Sequence, residues 1–247
     1  MTDWASQVAA VTGSRGAIGA AIVAYLGGLG VRVSGGDLAL KGDGIPVVDV
    51  TDADSIEAWL DGVESVLGPL TIGVVCAGIS RPGRLIDTTD RDWSDVVAVN
   101  LTGAYYTARG MIRRMLARGA GGRIVFMGSW AAQAPHPHIG AYSATKAGLR
   151  ALCQTLALDH AADGILVNEV APGIVNAGLS AKLFRRDPAL ELRTRAAVPN
   201  GLVIEPAEVA RDVAFLVSPD NRHTTGAIIV SDGGLSLSSR MNPGTRT

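Results

Sequence analysis

The sequence predicts an α/β protein: a doubly wound sheet of seven mainly parallel strands with helices on both faces, formed as one domain over residues 1–247. Three observations carry this prediction. Short runs that are apolar throughout alternate with longer helix-forming segments, the pattern of strands covered on both faces. The first run leads straight into glycines at three-residue spacing, as a strand-to-helix turn requires. The repeated strand–helix–strand order implies right-handed crossovers. No linker, repeat or low-complexity stretch divides the 247 residues, which suffice for one large core.

Strands are expected at 8–13 (VAAVTG), 31–37 (VRVSGGD), 45–50 (IPVVDV), 72–78 (IGVVCAG), 123–129 (RIVFMGS), 165–172 (ILVNEVAP) and 227–234 (AIIVSDGG). Helices are expected at about 17–29, 53–67, 90–118, 141–162 and 206–217. Thr51 or Asp52 can cap the second helix, and Pro206 sits in the first turn of the last. The connection 38–44 is too short for a crossover helix, which leaves that side of the sheet abbreviated. Region 174–205 breaks the rhythm with Arg185, Arg186, Pro188 and Pro199. It follows the C-terminal end of a strand, where ligands bind in open α/β sheets, so it is a candidate substrate lid. A surface excursion without a role is the competing reading. The polar tail 236–247 is expected to be loosely held.

Composition narrows the function. With 22 basic and 23 acidic residues the net charge is −1, so no electrostatic footprint for nucleic acid or an anionic membrane exists. No apolar run is long enough to span a bilayer, and the N-terminus lacks a signal-peptide pattern. The two cysteines, Cys76 and Cys153, lie in apolar runs and are expected to be buried free thiols of a reducing compartment. A soluble cytoplasmic protein is the expectation.

The glycine turn TGSRGAIG places Gly13, Gly16 and Gly19 at the mouth of the first strand. Such glycines let the backbone reverse, approach a pyrophosphate and pack helix on sheet, with phosphates at the helix start near Ala17. The second strand ends at Asp37, whose carboxylate can accept hydrogen bonds from ribose hydroxyls and repel a 2′-phosphate. Arg15, inside the glycine loop, could instead contact a 2′-phosphate. Asp37 outweighs it, so NAD is expected over NADP. Asp49 and Val50 end the third expected strand, where an adenine ring would lie.

Tyr142 and Lys146 are four residues apart in GAYSATKAGL, so they share one helical face. Alone, this pair reads as surface chemistry of no consequence. In context it does not. Thr12–Gly13, Gly16, Gly19, Asp37, DV at 49–50, AG at 77–78, VN at 99–100, Ser129, Tyr142, Lys146, PG at 172–173 and SDGG at 231–234 occur in an order and spacing that are jointly specific. The chain resembles the single-domain branch of the short-chain dehydrogenase/reductase family, from Val8 to Gly234.

The resemblance implies a Rossmann-type sheet and a nicotinamide cofactor held by Gly13, Arg15, Gly16, Ile18, Gly19, Asp37, Asp49, Val50, Ala77, Gly78, Tyr142, Lys146, Pro172, Gly173, Ile174 and Val175. It implies catalysis by Ser129, Tyr142, Lys146 and Asn100. Tyrosine, with a pKa of about 10, is a poor base at neutral pH, but a neighbouring ammonium favours the phenolate form. Ser129 would orient the substrate oxygen, and Asn100 would hold a water linking Lys146 to solvent. It also implies a homotetramer built on the long helices and the last strand. Two departures stand out: Val75 and Cys76 replace the family's asparagines, and Ala177 replaces its threonine at the carboxamide. The main chain of Ile174 and Val175, or Asn176, would have to compensate.

The substrate pocket is expected from Trp130, Gln133, His136, His138, Leu179 and Phe184, with Leu183 beside them. His136 and His138 bracket a proline without nearby carboxylate or cysteine partners, so no metal is expected. Loop packing alone could also explain either histidine. The function expected is NAD-dependent interconversion of a secondary alcohol or cyclic diol and its ketone. An NADP-dependent 3-oxoacyl-type reductase and a non-catalytic NAD sensor are the alternatives.

Overall fold

The computed structural model describes residues 2–38 and 44–241. Strand β1 (Val8–Thr12) is buried along its whole length. Its side chains alternate between two cores. Val8 and Ala10 join the cluster under α2 (Ala53–Leu67), α4 (Gly103–Arg118) and α5 (Gly140–His160). Ala9 and Val11 join the cluster under α1 (Ala17–Gly28) and α8 (Pro206–Val217). A strand with apolar side chains on both faces can be satisfied only between two helical layers.

The other strands are β2 (Arg32–Gly36), β3 (Ile72–Val75), β4 (Gly122–Met127), β5 (Ile165–Pro172) and β6 (Ile228–Ser231). All pairings are parallel, in the order β2-β1-β3-β4-β5-β6. The chain leaves β1 to one side for β2 and returns to its other side as β3. That reversal opens a crevice above the C-terminal ends of β1 and β3, where ligands bind in such sheets.

Six strands form among the described residues, not seven. The run 45–50 contributes a single bridge, Asp37 with Val47. Asp37 N–H donates to the Pro46 carbonyl at 3.2 Å and Val48 N–H to Asp37 at 2.9 Å. Proline has no N–H with which to lengthen the ladder. The short connection expected at 38–44 falls largely on residues 39–43, outside the described residues.

The helix expected at 90–118 divides into α3 (Asp90–Val97), a wide π turn over Ala98–Thr102, and α4. Asn100 lies in the π turn and is fully buried. Region 174–205 is not irregular: it holds α6 (Gly178–Arg186) and α7 (Pro188–Ala197). Asp187 caps α7 by accepting from Leu190 N–H at 3.0 Å, with Pro188 at its first position. A bridge between Val175 and Ile204 closes the neck of this excursion. Asp52 caps α2 as expected, accepting from Asp54 N–H at 3.0 Å.

Part of the tail is also held. Asp232 accepts from Gly234 and Ser236 N–H at 2.9 and 2.8 Å, starting α9 (Leu235–Met241). Leu235 then packs with Trp130, Ala134 and Val198 in a small third core. Among the described residues, no helix is long and apolar enough to cross a membrane.

Candidate active site

A cavity of about 780 Å³ runs across the C-terminal ends of the strands, from Asp37 at one end to α6 and α7 at the other. Its floor is the glycine turn. Gly13 has φ of +69°, and a Cβ there would stand 2.8 Å from Ala77 Cα. A side chain at Gly19 would overlap the Gly13 carbonyl oxygen, so helix α1 can approach β1 only as glycine. Gly16 is different. It is the N-cap of α1 with φ of −66°, and a Cβ there would meet the Gly13 carbonyl oxygen at 3.3 Å, a far milder crowding. Its bare backbone leaves the rim of the cavity open.

Asp37 follows β2 and lines the cavity; its carboxylate accepts from Arg15 N–H at 3.0 Å. The Arg15 side chain reaches the Ile45 carbonyl at 3.5 Å and is not part of the cavity wall. Asp49 and Val50 are in the wall as expected, with Asp49 accepting from Thr51 N–H and Oγ1 at 2.9 and 2.7 Å. Thr12 Oγ1 accepts from Cys76 and Ala77 N–H at 3.1 and 3.3 Å, which braces the end of β3 where Val75 and Cys76 offer no amide side chain. Burial pushes the Cys76 thiol up to about 11, against the opposing pull of Lys146.

Ser129, Tyr142 and Lys146 all line the same cavity. Ser129 lies two residues past β4 and caps a short 3-10 turn, Trp130–Ala132, accepting from Ala131 N–H at 3.2 Å. Tyr142 stands in the first turn of α5, and the buried Lys146 Nζ lies 5.5 Å from its ring centre. Lys146 donates one hydrogen bond to the Met127 carbonyl at 2.6 Å. Asn100 is behind the wall. Its Oδ1 accepts from Ile79 N–H at 2.8 Å, and its Nδ2 donates to Ile79 O at 2.9 Å and Thr145 Oγ1 at 3.2 Å. Both amide hydrogens are thereby spent on fixing the segment after β3.

Pro172, Gly173, Ile174 and Val175 also line the cavity. Gly173 packs within 2.8 Å of Asp232 Cα if given a Cβ, which ties PG to SDGG. Among the described residues, the Ile174 and Val175 amides donate to no other main-chain carbonyl. Ile18 and Gly78 also line the cavity; Gly78 faces Asn100 Oδ1.

The expected substrate pocket divides. Trp130, His136 and Phe184 line the cavity, His136 standing edge-on to Trp130 with centroids 5.8 Å apart. Gln133 and His138 do not line it. Gln133 is drawn into hydrogen bonds with Arg150 and Ser236 at 3.2 and 3.0 Å. His138 adopts φ of 68° and its carbonyl accepts from Gly83 N–H at 2.8 Å, a backbone role. The Leu179 side chain lies outside the described residues. Ile79, Val99, Ile139, Ser180, Leu190 and Thr194 join the wall unanticipated. Leu190 and Thr194 are four apart on α7, so recognising that helix would have placed them on one face.

The chain is similar to known proteins over nearly its whole length. The family model described as enoyl-(acyl carrier protein) reductase matches residues 19–236. The chain is 36% identical to a 3-oxoacyl-[acyl-carrier-protein] reductase of Haemophilus influenzae, over 94% of this chain and 99% of that protein. It is also 36% identical to a cis-4-hydroxycyclohexanecarboxylate dehydrogenase of Sinomonas cyclohexanicum, over 94% of this chain and 97% of that protein. A variant of actinorhodin polyketide ketoreductase, solved with NADPH, superposes with a TM-score of 0.88 at 32% identity, over 96% of this chain and 99% of the other.

Proposed function

From the premise that this chain belongs to the short-chain dehydrogenase/reductase family, we propose that it interconverts a secondary alcohol or cyclic diol and its ketone with NAD. The observation that carries this reading is the meeting of Ser129, Tyr142 and Lys146 in one cavity with the glycine turn and Asp37. The cavity fits a dinucleotide: glycines keep side chains out of the turn at its floor, and a carboxylate stands at the far end.

Bound nicotinamide supplies the hydride acceptor. The chain's residues do the rest. Ser129 Oγ already accepts from an amide, so its hydroxyl hydrogen is left to bind the substrate oxygen. That bond orients the oxygen toward Tyr142, which removes its proton as alcohol becomes ketone. Lys146 spends one N–H on Met127 and keeps two to steady the phenolate and a ribose hydroxyl. Asn100 sets the Ile79 backbone against which substrate and nicotinamide would rest. The lid reading for α6 and α7 rests on Leu183, Phe184, Leu190 and Thr194, which turn a mostly apolar surface to the cavity. An uncharged alicyclic substrate suits such a wall.

NAD is favoured by the Asp37 carboxylate, held in place by Arg15 N–H. The NADP-dependent 3-oxoacyl-type reductase stays the second reading, supported by the named relatives and by Arg15 in the glycine loop. Exposed Trp93, Tyr105 and Leu158 support self-association, and the free thiols of Cys76 and Cys153 suit a reducing cytoplasm.

The test is NADH formation at alkaline pH across a panel of secondary and cyclic alcohols, with 3-oxoacyl thioesters and NADPH run in reverse. Tyr142→Phe should cut turnover by about 10²–10⁴-fold with cofactor binding intact. Near-wild-type turnover in that variant would overturn the assignment. Silence across the panel with NAD bound would favour a sensor.

A further inference from the structure

Helix α5 carries Tyr142, Lys146 and Arg150 at intervals of four, so the three project from one face on successive turns. Two of them have roles above; Arg150 has none. It reaches a carboxylate that is fully buried in the sheet, Glu169 of β5. The pairing is two-pronged: Nε to Oε2 at 3.0 Å and Nη2 to Oε1 at 2.9 Å. The remaining prong, Nη1, donates to Gln133 Oε1 at 3.2 Å. Gln133 is the C-cap of the turn that Ser129 begins, and it donates onward to Ser236 of α9 at 3.0 Å.

We propose that Arg150, oriented by Glu169, is a positioning residue that holds the Ser129 turn in register with Tyr142 through Gln133. Lys146 grips the Met127 carbonyl, two residues before Ser129; Arg150 grips Gln133, four residues after it. The helix that carries the proton acceptor thus holds both flanks of the serine that must face it.

A buried ion pair is a poor device for stability, because desolvating both charges offsets their attraction. What it supplies is fixed geometry, since a bidentate guanidinium has few alternative placements. The chain accommodates the pair at a cost in sequence freedom. Gly128, next to Ser129, must lack a side chain because a Cβ would fall on the Glu169 carboxylate. The pair therefore touches the Ser129 segment from below as well as from Gln133.

The inference rests on the reading of Ser129 and Tyr142 as catalytic, and its test separates the two. Gln133→Ala leaves the ion pair whole and so avoids a buried unpaired charge. Arg150→Lys keeps a counter-ion for Glu169 but cannot reach Gln133 with a fork. In each, kcat should fall about tenfold or more, the scale expected when a reacting group is slightly misplaced. Cofactor affinity should stay unchanged, and the double variant should lose no more than the worse single one.

Hydrogen exchange at the Ala132, Gln133 and Ala134 amides, which close the turn, should quicken in both. Wild-type kcat in both variants overturns the proposal, as does unchanged exchange in the turn. If the wild-type enzyme itself oxidises no alcohol, the proposed function fails, and the exchange measurement still decides whether Arg150 pins the turn.

Discussion

The two ends of the cavity are built by different rules. At the cofactor end, backbone meets backbone: Gly13 against Ala77 Cα, Gly19 against the Gly13 carbonyl, Gly173 against Asp232 Cα. Each contact leaves room for one residue type. At the substrate end the wall is made of side chains from the loop after β4 and from α6 and α7. Many apolar residues would close it equally well. The first end therefore declares its ligand class in the sequence, while the second keeps its substrate to itself.

The strongest way to break that contrast is within the glycine turn. Gly19→Ala must push α1 off β1, because the added methyl has only backbone to displace. A loss of about 1–3 kcal/mol in stability is expected, with cofactor affinity falling alongside. Gly16→Ala sits at an ordinary φ and its methyl would meet only the Gly13 carbonyl oxygen, at 3.3 Å, so it should cost less than about 1 kcal/mol. Thermal melts and cofactor titration of the pair check this. Equal damage from both would mean that Gly16, too, is forced by packing.

The same contrast explains what the sequence revealed. The parallel sheet, the two-sided core of β1 and the Tyr142–Lys146 face were legible because strand burial and the four-residue helical interval follow from local pattern. Other features were not. Pro46 removes a ladder donor from a run that otherwise looks like a strand. The π turn at Asn100 has no residue-type signature, and the bonds it makes, from Asn100 to Ile79 and Thr145, reach 21 and 45 residues along the chain. Gln133 looked like a pocket residue because its partners, Arg150 and Ser236, are 17 and 103 residues away. Asp187–Pro188 is a helix-start signal, but in the sequence Pro188 reads equally as a breaker beside Arg185 and Arg186.

A smaller effect is expected at the far edge of the cofactor end, where a side chain rather than the backbone selects. Asp37→Ser removes the negative charge from the ribose pocket. NAD should bind about tenfold more weakly, as the loss of a hydrogen bond to a charged group, ~1.5 kcal/mol, implies. NADP should improve, with repulsion gone. Because Asp37 also accepts from Arg15 N–H, the turn loosens for both cofactors. The informative readout is therefore the ratio of the two dissociation constants. An unchanged ratio would remove Asp37 from cofactor choice and strengthen the 3-oxoacyl reductase reading.

The smallest effects belong to two histidines that each follow a proline and play opposite roles. His136 presents its ring to the cavity, edge-on to Trp130. His136→Ala should shift KM a few-fold, the scale of an aromatic edge contact worth about 0.5–1.5 kcal/mol, with kcat little altered. His138 contributes a left-handed backbone, φ of 68°, and a carbonyl that anchors Gly83. His138→Asn keeps a residue that tolerates that conformation and should leave KM and melting temperature where they are. His138→Val places a branched side chain there and should cost about 1–2 kcal/mol in stability without changing the preference among alcohols. A change of substrate preference in His138→Asn would show that the ring, not the backbone, faces the ligand, and would extend the side-chain-built end of the cavity to the whole loop.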